Sequence, residues 1–218
     1  MSNNLILVFD TETSGLWPKN NESKNPEDYP SIVQLSFIIY DVVNRGIVKE
    51  YNTYVKQHSS INFDSEAFKI NKITKEMCDK GKNIVDVLKE FHIAYMNVGV
   101  VIAHNLWFDK RMMEIEILRN YEKLPKKTIS DPWVLFNDTF NELWGLKTYC
   151  TMNNGKDKCN VIMKDKRTGN TWKKSPKLSE LYEKLFNEKS PEGLHNSQID
   201  TMLCLQCYLK MVHNYEKS

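Results

Sequence analysis

A five-residue apolar run, Leu5 to Phe9, ends directly on Asp10-Thr11-Glu12. An unbroken apolar run bounded by polar residues predicts a central strand buried on both faces. Side chains two apart on a strand share a face, so Asp10 and Glu12 stand together at its carboxyl end. Two carboxylates held that close repel each other unless something positive lies between them. Hard oxygen donors select Mg²⁺ or Mn²⁺ over zinc. The plainer alternative is a strand that runs into a polar turn, with Gly15 and Pro18 as ordinary loop residues.

Two further clusters carry the same chemistry. In GVVIAHNLWFDKRMM, Val100 to Ala103 read as a short buried strand and His104 with Asn105 as a turn. A helix is expected from Phe108 onward, with Met112, Ile115 and Leu118 on one stripe. Asp109 then falls in the first helical turn, where an acid also favours the positive end of the helix dipole. In GLHNSQIDTMLCLQCYLKMV, Ile199, Met202, Leu205, Leu209 and Val212 form one expected stripe, with Asp200, Cys204, Cys207 and Met211 on another face. Asp200 enters from the first turn of this helix and His195 lies just upstream. Ser197 with Asp200 could equally form a capping box.

The three clusters together resemble the DEDDh, or DnaQ-like, family of 3′-to-5′ exonucleases. The matching strings are FDTETSGL, AHNLWFD and HNSQID, with softer likeness in FKINKITKEM and KSPKLSELYEKLF, so the resemblance runs from about Leu5 to Val212. Two departures leave the acids untouched: Thr201 follows the last Asp, where a small residue is common, and Lys126 to Gly145 is longer than the family minimum.

That resemblance implies a ribonuclease H-like α/β fold with a mixed five-stranded sheet flanked by helices, and a two-metal hydrolysis that releases nucleoside 5′-monophosphates. By the same resemblance Asp10 bridges two Mg²⁺ ions, for which Mn²⁺ can substitute. Glu12 and Asp200 complete the shell of the first ion and Asp109 supports the second. His195 is the implied general base, histidine being the side chain that changes charge near neutral pH. Thr13, Leu16, His104 and Asn105 match positions that contact the terminal nucleotide, and Phe108 either lines that pocket or belongs to the core. DNA is the favoured substrate. An RNA-trimming enzyme of the same fold shares all of this chemistry, because the 2′-hydroxyl contacts that separate the two have no motif here. A ribonuclease H-type endonuclease would lack the histidine, and a polymerase-associated module without activity would not need all four acids.

The remaining sequence is consistent with this layout. Ile32 to Asp41 and Ile47 to Lys56 alternate around Asn44-Arg45-Gly46 as a hairpin. Ile84 to Met96 reads as a helix and Lys147 to Met152 as a fifth strand. The Trp17 to Pro30 segment, rich in Asn, Pro and charge, reads as a mobile loop beside the site. At 218 residues and 41% hydrophobic content the chain is expected to form one exonuclease domain over 1–218. No apolar run approaches a membrane span and MSNN does not read as a signal peptide. The five cysteines are expected as reduced thiols in an intracellular compartment. Cys204 and Cys207 are expected in the core and not in a zinc site with Cys150 and Cys159.

Net charge is only +2, but its distribution is uneven. Residues 156–177 are expected to form a basic hairpin, with strands at Asn160 to Met163 and Thr171 to Lys173. Lys156, Lys158, Lys164, Lys166, Arg167, Lys173, Lys174 and Lys177 there outnumber Asp157 and Asp165. Lys164, Lys166, Arg167, Lys173 and Lys174 are candidate phosphate-binding residues; the alternative is a solvated charged face. Expected partners are nucleic acid 3′ ends and a polymerase or other replication protein, with monomer and homodimer both open.

Overall fold

A computed structural model describes residues 4–18, 23–59, 61–125 and 131–215. Strand β1 (Leu5–Thr13) is followed by β2 (Ile32–Asp41), β3 (Gly46–Tyr54), helices α1 (Glu66–Asn71), α2 (Lys75–Asp79) and α3 (Ile84–Tyr95), then β4 (Val100–Ala103) and α4 (Leu106–Arg119). The second half contains α5 (Asp138–Trp144), β5 (Lys147–Cys150), α6 (Thr151–Cys159), the short pair β6 (Ile162–Lys164) and β7 (Thr171–Lys173), α7 (Leu178–Phe186) and α8 (Ser197–His213). The main sheet has the order β3-β2-β1-β4-β5. Strand β2 runs antiparallel to both β1 and β3, while β4 runs parallel to β1 and β5 parallel to β4.

Alternation along β1 divides the interior. Leu7 and Phe9 join Phe91, Met112 and Met113 on the α3 and α4 side, whereas Ile6 and Val8 join Cys204, Leu205 and Tyr208 on the α8 side. This is the ribonuclease H-like architecture, with a mixed five-stranded sheet covered by helices on both faces. No helix among the described residues is long and apolar enough to cross a membrane.

Several elements depart from the sequence reading. The fifth strand stops at Cys150, because β4 ends opposite it at Ala103 and offers nothing further to pair with. Met152, expected in that strand, lies in the first turn of α6 instead, and Lys156 and Lys158 lie on that helix, so the hairpin starts later than residue 156. In α4 the inward positions include Leu106, Asp109, Met113 and Glu116, while Leu118 is 58% exposed. Helix α8 is covered on more than one side: Cys204, Leu205 and Tyr208 meet the sheet, and Leu203 and Cys207 meet α7. Val212, expected on its buried stripe, is exposed. Its cap is the side chain of Asn196, which accepts from Gln198 N, so Ser197 and Asp200 form no capping box.

Parts of two expected segments, 19–22 in the Trp17 to Pro30 loop and 126–130 in the Lys126 to Gly145 insertion, lie outside the described residues. The end of the first loop is tied to α4. Arg119 donates to the carbonyls of Pro26 (2.7 Å) and Tyr29 (3.0 Å) and to Glu116 Oε1 (2.7 Å). Glu116, buried, also accepts from the Ile32 backbone N–H at 3.0 Å. A buried carboxylate is tolerated when charge and hydrogen bonds compensate it, as here.

Candidate active site

β1 outruns β4. Their pairing ends at Val8 and Ile102, so the last residues of β1 project beyond the neighbouring strand. On the side β4 has vacated, Asp109 Oδ1 accepts from the Thr11 backbone N–H (3.0 Å) and hydroxyl (2.7 Å). Asp109 thus reaches β1 from the α4 face. What places it is the turn at Asn105, whose left-handed backbone (φ 68°) lets α4 start three residues after β4 ends.

Asp200 comes from the opposite face. Its first-turn position on α8 is fixed by a polar seam: Ser197 Oγ lies 2.7 Å from Ser36 Oγ, the Ser197 N–H donates to Gln34, and Thr201 Oγ1 donates to the Ser197 carbonyl at 2.6 Å. Gln34 and Ser36 pair across the sheet with Glu12 and Asp10. The strand row that carries the acids therefore also holds the helix bearing Asp200. Thr201, the unusual residue after the last Asp, is buried and part of this seam.

The sequence groups are brought together. Carboxylate oxygens of Asp10, Glu12 and Asp200 all lie within 4.8 Å of one another. Burial, then repulsion from Asp109, Asp200 and Glu12, raises the Asp10 carboxyl well above its usual range. Burial followed by Asp200 and Asp109 pushes Glu12 up to about 8. Burial also lifts Asp109 to about 7 against the opposing bonds from Thr11, and Asp200 to about 6 against the His195 N–H and imidazole charge. Asp200 Oδ2 accepts that N–H at 3.0 Å, while its Oδ1 is buried with no hydrogen-bond partner among the described residues. Clustered carboxylates that resist ionising, with one oxygen uncommitted, fit a hard divalent cation.

His195 sits in an exposed loop with a left-handed backbone, φ 67°, two residues after Gly193 at φ 87°. Leu16 is 89% exposed beyond the end of β1, and the Thr13 hydroxyl donates to the Gly15 carbonyl. Phe108 is half-buried against the α3 and α4 core. His104 is engaged within the chain at both ring nitrogens: Nδ1 lies 3.0 Å from Thr151 Oγ1 and Nε2 lies 3.1 Å from the Pro176 carbonyl. Burial pushes its pKa down to about 4. Of the five hairpin cations, Lys173 pairs with Asp157 and Lys174 with Glu180, whereas Lys164 and Lys166 with Arg167 form the outer end of the ribbon. Thr11, which holds Asp109, went unnoticed in the sequence. Its place between the two acids, pointing to the other face, was the available signal.

This geometry agrees with the comparisons to known proteins. The family model described as exonuclease, of the RNase T type, matches residues 7–208. A DNA polymerase III PolC-type protein of Oceanobacillus iheyensis is 27% identical over 119 residues, which is 54% of this chain and 7% of that protein. The chain therefore spans only a small part of that relative. Among solved structures, E. coli Exonuclease I in complex with a dT13 oligonucleotide superposes with a TM-score of 0.65 at 15% identity, covering 97% of this chain and 42% of that one. The nuclease domain of 3′hExo, a DEDDh family member bound to rAMP, gives 0.61 at 14% identity, covering 100% and 98%. The chain belongs to the exonuclease family.

Proposed function

We propose that this chain, acting as one domain over residues 1–218, is a metal-dependent 3′-to-5′ exonuclease that releases nucleoside 5′-monophosphates, with DNA as the favoured substrate. The observation that carries the reading is the convergence of Asp10, Glu12 and Asp200 within 4.8 Å, with Asp109 beside them from the other face of the sheet. Asp10, Glu12 and Asp200 would hold one divalent ion and Asp109, with Asp10, a second; Mg²⁺ or Mn²⁺ there would supply an activated water and stabilise the departing 3′ oxygen.

The chain's own groups do the rest. His195 takes the proton as water adds to the terminal phosphorus and the bond to the neighbouring 3′ oxygen breaks. Its backbone N–H holds Asp200, which ties the base to the acid cluster. Thr11 keeps Asp109 turned toward β1. Leu16, projecting beyond the strand end, lies against the terminal base, with Thr13, Asn105 and Phe108 lining the approach. His104 serves as a pin between Thr151 and Pro176, since both its ring nitrogens are already bonded. The kinship with a polymerase III protein favours a replication partner. A second reading, exoribonuclease, is favoured by the neighbour that binds rAMP.

The test is a gel assay with 5′-labelled single- and double-stranded DNA and RNA, with Mg²⁺, with Mn²⁺ and with EDTA. A metal-dependent ladder of progressively shorter labelled strands is expected, and chromatography of the unlabelled mononucleotides should show them eluting with nucleoside 5′-monophosphates. Immediate release of the label as a mononucleotide, or equal cleavage in EDTA, would overturn the assignment. Stronger cleavage of RNA would favour the second reading.

A further inference from the structure

The β6–β7 hairpin stands apart from the main sheet, and among the described residues its two strands pair only with each other. Such a ribbon is marginal alone, yet this one is fastened at its root. Lys174 N donates to the Val161 carbonyl, Lys173 pairs with Asp157 of α6, Lys174 pairs with Glu180 of α7, and the Pro176 carbonyl meets His104. His104 follows the carboxyl end of β4, so the root lies at the same end of the sheet as Asp109. The tip is ordered too. Asp165 accepts from the N–H groups of Arg167 (2.7 Å) and Thr168 (2.8 Å), and Gly169 takes the left-handed conformation at φ 75°.

The ribbon therefore presents what its root does not use. Met163 and Trp172 are directly paired across the strands and share one face. They are 41% and 50% exposed, while Ile162, 54% exposed, lies on the opposite face with Lys164 and Lys173. Lys164, Lys166 and Arg167 are exposed at the tip and end of β6, and no ion pair involves them among the described residues. Large apolar side chains exposed together usually mark a contact surface. Lys166 and Arg167, exposed cations in the adjoining turn, argue against a second copy of the same surface and for a polyanion with flat apolar groups.

We propose that this hairpin is a platform for single-stranded nucleic acid, separate from the acid cluster. Trp172, flanked by Met163, stacks a base of the strand, and Lys166 and Arg167 in the turn hold its phosphates. Lys173 and Lys174 set the position of the hairpin by pairing with α6 and α7, and do not themselves carry the strand. The inference rests on the reading that the chain acts on nucleic acid, and it places this part of the strand well back from the reacting end.

The experiment measures binding of 5′-labelled oligothymidylates by fluorescence anisotropy in EDTA, so that no hydrolysis intervenes. Trp172→Ala should raise the Kd of a long strand roughly 5- to 150-fold, the worth of one base on an aromatic ring, and Trp172→Phe should restore most of it. Neutralising Lys166 and Arg167 should lower the slope of log affinity against log salt by roughly 0.7 for each phosphate that is no longer held. Circular dichroism should show the fold retained, since Trp172 is exposed. Unchanged Kd and salt slope, or equal weakening on a dinucleotide and a long strand, would overturn the proposal. So would sedimentation showing that Trp172→Ala dissolves a dimer. Hairpin-dependent binding without cleavage in Mg²⁺ or Mn²⁺ would sink the exonuclease reading and leave the platform standing.

Discussion

The starts of α4 and α8 each deliver an aspartate to β1, from opposite faces, and they treat it differently. Asp109 is 3% exposed and receives two hydrogen bonds from Thr11, so it fastens helix to strand. Asp200 receives one, from the His195 N–H, and keeps a buried oxygen without a partner among the described residues. Its helix is fastened instead by Ser197 and Thr201. In one region the acid is part of the joint; in the other a separate joint leaves the acid uncommitted. A carboxylate that holds structure is costly to delete, whereas one that only resists its neighbours is not.

The sharpest way to break this contrast is by deletion. Asp200→Ala should abolish hydrolysis while the metal-free melting temperature stays level or rises, because a repelling carboxylate is gone. Asp109→Ala should abolish hydrolysis and also destabilise by about 1–3 kcal/mol, since two Thr11 donors lose their acceptor. Asp109→Asn keeps an acceptor oxygen and should recover most of that stability without activity. Thermal melts in EDTA that rank the two alanine variants equally would remove the distinction.

A smaller effect is expected from His195→Ala, which should slow hydrolysis by roughly 10²- to 10⁴-fold, the worth of a positioned general base. The rise in melting temperature on adding Mg²⁺ should survive, because ligand that binds only the native state stabilises it and His195 is not among the proposed ligands. Loss of that rise would move His195 into the metal shell.

A separate effect is expected on stability against pH. Glu12, Asp109 and Asp200 are raised to about 8, 7 and 6 from 4.5, 3.8 and 3.8. Between those limits the native state holds protons that the unfolded chain has released, so metal-free stability should fall as pH rises from about 4 to about 8. Saturating Mg²⁺ should flatten or reverse the slope, because it favours the ionised carboxylates. Melting curves in EDTA that are level over this range would show that the acids are better solvated than their burial implies.

Much of this was legible in the sequence because backbone periodicity placed it. The Leu5 to Phe9 run identified a buried strand, and alternation alone put Asp10 and Glu12 on one face. Short motifs marked the two helix starts that supply the other acids. What stayed hidden depended on partners distant in the chain. Apolar periodicity in α4 favoured Leu118 as an inward residue, yet Glu116 is buried because Arg119 and the Ile32 N–H compensate its charge. The fifth strand was read too long because its length is set by β4, not by its own residues. Likewise nothing local reveals that Lys173 and Lys174 are neutralised by acids on two different helices, which leaves Lys164, Lys166 and Arg167 as the outward charge of the ribbon.

The clasp of Arg119 and Glu116 on Pro26, Tyr29 and Ile32 fixes the point at which the chain re-enters β2. An insertion between Pro26 and Ile32 would part that clasp from the strand, and so pull Ser36 away from Asp10 and loosen the seat of the last helix.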